Sequence, residues 1–253
     1  MTPEAITLDG QSLTLEQLSR LGSGQGQISL ADDSWKRLQA TRDIVDNLSK
    51  KDEPVYGINT GFGRFSNVKI PADKLRDLQY NLIRSHSTGV GKILPTDPSR
   101  RIVALRINTL AKGYSGISLD VVRRLVDFFN SGCVPWIPQA GSVGASGDLV
   151  PLAHIGLSLI GEGLIFDPKT GRYEAAEVVL GRYGLKKAEL KAKDGLSLIN
   201  GTQFICGVGS CAVEEAVTVI KSMNAIAALS LIALKGHPAA FDERVQMIRI
   251  HAG

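Results

Sequence analysis

Little in this chain suits a metal centre or a covalent framework. Three cysteines and four histidines are spread over 253 residues. Cys133, Cys206 and Cys211 have neither metal-ligand nor disulfide spacing. Cys206 and Cys211 sit five apart on an expected helix, where such side chains diverge, and all three read as reduced, buried thiols of a cytosolic, cytoplasmic protein. His154, His237 and His251 have no metal-site spacing, so no metal is expected. His154 falls in an apolar run and reads as a satisfied core residue. Gly144-Ala145-Ser146-Gly147 lacks a phosphate-loop lysine and follows no strand, and no dinucleotide fingerprint occurs, so no external cofactor is expected. Net charge is only +4, from 29 basic and 25 acidic residues. No basic stripe is interleaved with aromatics, so nucleic-acid binding finds no support. The opening Met1-Thr2-Pro3-Glu4-Ala5 has no signal-peptide pattern. The apolar stretch around residues 225–234 falls short of the ~20 residues of a membrane span and reads as a buried core helix.

What is present is an ordinary globular balance, 43% hydrophobic and 21% charged, enough for one large domain or two small ones. Near the start, Asp9-Gly10 between short apolar runs predicts a small hairpin. Amphipathic patterns predict helices over 30–50, 72–88, 98–112 and 119–130, with Ser118 as an N-cap and Gly132 as a stop. Residues 149–160 are nearly all apolar, as in a central helix, and 201–235 read as one long helix. A turn at Asp167-Pro168-Lys169-Thr170-Gly171 predicts a short exposed β-hairpin. The fold class is therefore mainly α, a long-helix bundle with a small N-terminal part carrying loops and minor β-hairpins. Residues 1–140 form a loop-rich helical part, and 141–253 the start of a central bundle.

The chemistry lies in Gly141-Ser142-Val143-Gly144-Ala145-Ser146-Gly147-Asp148. The Gly147 amide nitrogen can reach the Ala145 carbonyl carbon and close a five-membered ring. Loss of two waters, one taking the Ser146 hydroxyl, leaves a conjugated methylidene-imidazolone. Glycine has no Cβ to block the approach and tolerates the dihedrals of a folded-back loop. Serine supplies the hydroxyl whose elimination creates the electrophile, and alanine leaves the carbonyl uncrowded. Small residues are also what ordinary loops use, with Asp148 capping the next helix. Pro135-Trp136-Ile137-Pro138 before the loop and the apolar run 149–157 after it pin the segment where strain can be held.

The run from Gly141 to Leu152 closely resembles the cofactor-forming segment of the aromatic amino-acid ammonia-lyases. Three further segments agree in order: Tyr56-Gly57-Ile58-Asn59-Thr60-Gly61-Phe62-Gly63, Asn81-Leu82-Ile83-Arg84-Ser85-His86-Ser87-Thr88-Gly89-Val90-Gly91, and Gly195-Leu196-Ser197-Leu198-Ile199-Asn200-Gly201-Thr202-Gln203. The resemblance covers nearly the whole chain. It implies a prosthetic methylidene-imidazolone from Ala145, Ser146 and Gly147, and elimination of ammonia from an amino acid.

That reaction needs an electrophile for the substrate amine and a base for the weakly acidic β-proton. By resemblance the base is Tyr56, at the head of a loop whose three glycines let it close over substrate. Read from its segment alone, Tyr56 is a tyrosine packed at a turn. Tyrosine titrates near ~10 in isolation, so the role needs nearby donors or positive potential. Ser85-His86 resembles the pair of the histidine-specific members, and an imidazole there can hydrogen-bond the substrate's own imidazole. This implies L-histidine as substrate, with urocanate and ammonia as products. Asn200 matches the family asparagine near the ring and the substrate carboxylate. It also suits a helix N-cap, with Gln203 as part of the same cap.

Rival readings remain open: a phenylalanine or tyrosine lyase, an aminomutase of the same family, or a non-catalytic helical fragment. The sequence runs from Phe241-Asp242-Glu243-Arg244 to Gly253 without a closing element, as an N-terminal portion does. The segments 149–160 and 212–234 carry more apolar surface than the other helices are expected to cover. With the resemblance, this implies a homotetramer whose sites draw on several subunits.

Overall fold

The computed structural model describes residues 4–144 and 147–250 and divides into two compact units, Met1–Gly209 and Ser210–Gly253. The first unit opens with β1 (Glu4–Leu8), α1 (Leu15–Gly22) and β2 (Gly26–Leu30). β1 and β2 pair in parallel, Ile6 opposite Ile28 and Leu8 opposite Leu30. The hairpin expected at Asp9-Gly10 is not formed. Asp9 Oδ1 accepts from the amides of Gln11 and Ser12 at 2.7 and 2.8 Å, and Gly10 at φ +90° turns the chain away from β1. Thr14 and Gln17 then close a capping box on α1, and a helical crossover is what parallel strands require.

There follow α2 (Asp32–Ser49), a 3₁₀ turn at Ala72–Lys74, α3 (Leu75–His86), β3 (Val90–Ile93), α4 (Thr96–Ala111) and α5 (Leu119–Asn130). Next are β4 (Val134–Pro135), β5 (Pro138–Ala140), α6 (Leu149–Leu159), β6 (Leu164–Asp167), β7 (Arg172–Ala175) and α7 (Ala176–Arg182). α8 (Asp194–Ile199) leads into α9 (Gln203–Ala233). The architecture is mainly α, as the helical periodicities predict. β6 and β7 form the expected hairpin, but it is not simply exposed: β4 adds a third strand, and Ile165 and Asp167 are fully buried.

The core gathers Ile83 from α3, Ile102, Ile107 and Leu110 from α4, Leu125, Phe128 and Phe129 from α5, and Leu152 and Ile155 from α6. Each such side chain contributes about 1.5–3 kcal/mol by leaving water. α6 needs no cover from outside the chain, contrary to expectation, because it is buried against α3 and α8. Gly156 makes this possible: a Cβ there would stand 3.0 Å from Ile83 Cδ1.

One buried carboxylate fixes the approach to α8. Asp194 accepts from the Ser118 amide and hydroxyl, both at 2.7 Å, from the Lys191 amide at 2.8 Å and from Arg42 Nη1 at 3.2 Å. Burial pushes its carboxyl above the usual carboxylate range, against the bonds that pull it down. Ser118 stands at the N-cap of α5, as expected, yet its hydroxyl serves Asp194 and not its own helix.

The second unit holds the later part of α9, a 3₁₀ turn at Pro238–Phe241 and α10 (Glu243–Met247). Its apolar side chains lie open: Leu229 is 67% exposed and Ile232 73%. The expected burial of residues 225–234 is therefore not met within this chain. Within Asp194–Ala233 an 18-residue window reaches mean hydropathy 1.7, long and apolar enough to cross a membrane by length and composition. A core helix waiting for its neighbours has the same character.

Candidate active site

The site is built where the connection between α8 and α9 meets the loop before α6. β5 pairs antiparallel with β3, Val90 opposite Ala140, and delivers the chain to Gly141. A Cβ on Gly141 would lie 2.5 Å from Val150 Cγ1, so the loop's entry is closely walled. Ala145 and Ser146, two of the three residues expected to form the ring, lie outside the described residues. Gly147 is described, at φ +100°. A Cβ on it would stand 2.8 Å from Gly201 N and 2.9 Å from both Asn200 Oδ1 and Gly201 O. Conformation and space both demand glycine. The next amide, of Asp148, donates to Gly201 O at 2.6 Å.

Asp148 does not cap its own helix. It stands at the N-cap position of α6 without a side-chain bond to it. Instead Oδ1 accepts from Ser142 Oγ at 2.5 Å, and Oδ2 from the Ile205 amide in the first turn of α9 at 3.0 Å. The fully buried carboxylate thus ties the glycine loop to the start of a different helix, where orphan amides favour negative charge.

Asn200 is not an N-cap either. It is the C-cap of α8, extended at φ −91° and ψ 106°, and α9 begins three residues later at Gln203. Its side chain is left to face Gly147. Gln203 is no part of a cap: Oε1 accepts from Arg106 Nη1 at 2.9 Å and Nε2 donates to Thr109 Oγ1 at 3.1 Å. Arg106 is a site neighbour that the motifs do not point to. It is 2% exposed, and Nη1 also donates to Asn200 O at 3.0 Å while Nη2 donates to Ser197 O. Burial pulls its pKa down to about 10. The signal was available as a charge between Leu105 and Ile107, inside a helix stripe that is otherwise apolar.

Tyr56 is 58% exposed, its ring edge-on to Phe62 at 6.3 Å. Its loop rests on α8: a Cβ on Gly57, at φ +76°, would lie 2.8 Å from Leu196 Cδ2. The base of the loop is pinned by buried Asn59, which donates to Lys51 O and Glu53 O and accepts from the Val55 amide at 2.6 Å. His86 ends α3, half-buried, with Nδ1 2.9 Å from Leu82 O. That contact puts a proton on Nδ1 and leaves Nε2 uncommitted. Gly147 and Asn200 are thus brought together and the Tyr56 loop is set beside α8. Among the described residues, no hydrogen bond joins Tyr56 or His86 to Asn200 or Gly147.

His154 is the core residue expected, buried edge-on to Trp136 with ring centroids 5.1 Å apart. Nε2 accepts from the Gly89 amide at 3.3 Å, and burial pushes its pKa down to about 4, so the ring stays neutral and fastens the Gly89 turn to α6. The thiols depart from expectation. None is in a disulfide, but only Cys133 is buried, while Cys211 is half-buried and Cys206 exposed on α9.

The chain matches known proteins along nearly its whole length. The family model described as aromatic amino acid lyase matches residues 13–253. Histidine ammonia-lyase of Bos taurus is 49% identical over 248 residues, covering 98% of this chain and 38% of that protein. The crystal structure of histidine ammonia-lyase from Trypanosoma cruzi superposes with a TM-score of 0.91 at 40% identity, covering 98% of this chain and 48% of that one. Ergothionase from Treponema denticola, an ergothioneine-degrading enzyme, gives a TM-score of 0.91 at 31% identity, covering 97% and 49%. The chain thus spans half or less of the length of these relatives. By the extent of the family match and the identities, the chain belongs to the aromatic amino acid lyase family.

Proposed function

We propose that this chain carries the ring-forming part of a histidine ammonia-lyase, which eliminates ammonia from L-histidine to give urocanate in a cytoplasmic step of histidine breakdown. The observation that carries the reading is the seat of Gly147. Only a residue without Cβ fits between Asn200 Oδ1 and the Gly201 backbone, and it does so at φ +100°. That cradle suits a methylidene-imidazolone made from Ala145, Ser146 and Gly147. When formed, such a group supplies an electrophile for the substrate amine and makes nitrogen a better leaving group.

The remaining work falls to side chains. Asn200 Oδ1 borders the ring segment and orients what binds there. Tyr56 takes the β-proton as general base, its exposed hydroxyl free of competing partners among the described residues. His86, with Nδ1 committed to Leu82 O, offers Nε2 for a hydrogen bond with the substrate imidazole.

The fold does not choose the substrate, since ergothionase superposes as well as the histidine enzyme does. Higher identity to histidine ammonia-lyases and the Ser85-His86 pair favour histidine over phenylalanine, tyrosine or an aminomutase outcome. In protein of the relatives' full length, L-histidine should be consumed in preference to L-phenylalanine and L-tyrosine, with urocanate released. His86→Leu should lower kcat/KM for histidine by about 10–100-fold, the loss from one unpaired polar group. An unchanged kcat/KM would remove His86 from substrate selection.

The same reading includes a homotetramer in which Tyr56 and Ser146 meet across a subunit boundary. The open apolar side chains of the second unit, Ile226, Leu229 and Ile232 among them, support association. Sedimentation should give a multiple of the 27.1 kDa chain. A well-behaved monomer would overturn the assembly.

A further inference from the structure

We propose that Arg106 is a positioning residue for the ring-forming segment: from inside the core, its guanidinium holds the connection between α8 and α9 against Gly147. The inference deepens the proposed ring reading and rests on it for its role in ring closure, while the mechanical part can be tested without the ring.

Burying a guanidinium is unfavourable unless its hydrogens meet acceptors, and an apolar side chain would fill the same space in α4 at less cost. Arg106 is nevertheless buried, and no carboxylate pairs with it among the described residues. Its acceptors are the carbonyls of Ser197 and Asn200 and the amide oxygen of Gln203, while Nε has none. These three acceptors lie at both ends of one short connection, so a planar fork sets its shape in a way that a single bond would not. Gly201 leaves the room required: a Cβ there would stand 2.4 Å from Arg106 Nη1.

The opposite face of this turn is the wall of the site. Asn200 Oδ1 and the Gly201 nitrogen and oxygen bound Gly147, and Gly201 O receives the Asp148 amide. Arg106, the turn and Gly147 are therefore stacked in sequence, and a shift of the first moves the third. The charge acts in the same direction. Among the described residues it has no counter-ion, and at a pKa of about 10 it persists at neutral pH. Donation to Asn200 O polarises the Asn200–Gly201 peptide, which brings positive potential towards the segment and favours negative charge developing there.

Two readouts on the protein carrying Arg106→Gln test this. The first is amide hydrogen exchange. At Asp148 and Ile205 it should speed up by about tenfold or more, as loss of a charged hydrogen-bond donor implies, while the amides of α5 keep their protection. The second is the ring itself. Intact mass should show slow or incomplete loss of two waters, and near-ultraviolet absorbance should fall in step. If Arg106→Gln does not fold, Arg106→Lys takes its place, keeping the charge but not the three-way fork, and the same two amides should exchange faster. Unchanged exchange at Asp148 and Ile205 in a folded variant overturns the proposal. Faster exchange with wild-type ring formation overturns the part played in ring closure. A wild-type protein with no water loss would defeat the ring reading, and the exchange result would still decide what Arg106 holds.

Discussion

Ser146→Ala is expected to abolish the two-water mass deficit, remove the near-ultraviolet absorbance and reduce lyase turnover to background. The wild-type protein should be lighter by two waters. One leaves as Gly147 N bonds to the Ala145 carbonyl carbon and that carbonyl loses its oxygen. The other leaves as Ser146 gives up its hydroxyl and its α-hydrogen. Alanine allows no second loss, so neither the exocyclic double bond nor the conjugation behind the absorbance can arise. The fold should be little affected. Among the described residues, the contacts that seat the segment run through Gly147, the Asp148 amide and the Asp148 carboxylate, none of which needs the Ser146 hydroxyl. The unfolding midpoint should therefore stay close to that of the wild type. A wild-type protein of full relative length that is folded and carries no mass deficit would end the ring assignment.

Tyr56→Phe should lower kcat by about 10²–10⁴-fold, the range for removing a general base, with KM changed little. The structural setting makes this a clean substitution. The ring meets Phe62 edge-on, and among the described residues its hydroxyl makes no hydrogen bond, so folding loses almost nothing with the oxygen. The loop is held by Asn59 and by Gly57 against Leu196, and neither contact involves the phenol. Mass deficit and absorbance should stay at wild-type levels, which separates proton transfer from ring formation. Near-normal turnover in Tyr56→Phe would place the base elsewhere.

The parts legible in the sequence are those decided within a few residues. Apolar spacing and flanking caps marked α5 at Leu119–Asn130, as the structure has it, and marked α6 and α9 within a residue or two at most ends. Gly147 was legible because ring closure and a left-handed backbone make the same demand on one residue. Where local chemistry allowed two outcomes, pattern alone chose the wrong one. Asp9-Gly10 suits a hairpin, but it also suits a turn into a helix, and the helix won because β2 was available to pair in parallel.

By itself, then, the sequence determined a mainly helical chain, its family motifs and the triad Ala145-Ser146-Gly147. Only the tertiary structure decided what those motifs touch. Asp148 looked like the cap of the helix it begins, yet its carboxylate serves an amide 57 residues further on. Asn200 and Gln203 looked like one N-cap, yet the first closes α8 and the second binds an arginine 97 residues earlier. Periodicity reports which face of a helix leaves water, because that is set by side chains three and four apart. It does not report which backbone ends will arrive at that face. Polar groups such as Arg106 and Asp148 are partnered by whichever orphan carbonyls and amides packing brings within reach.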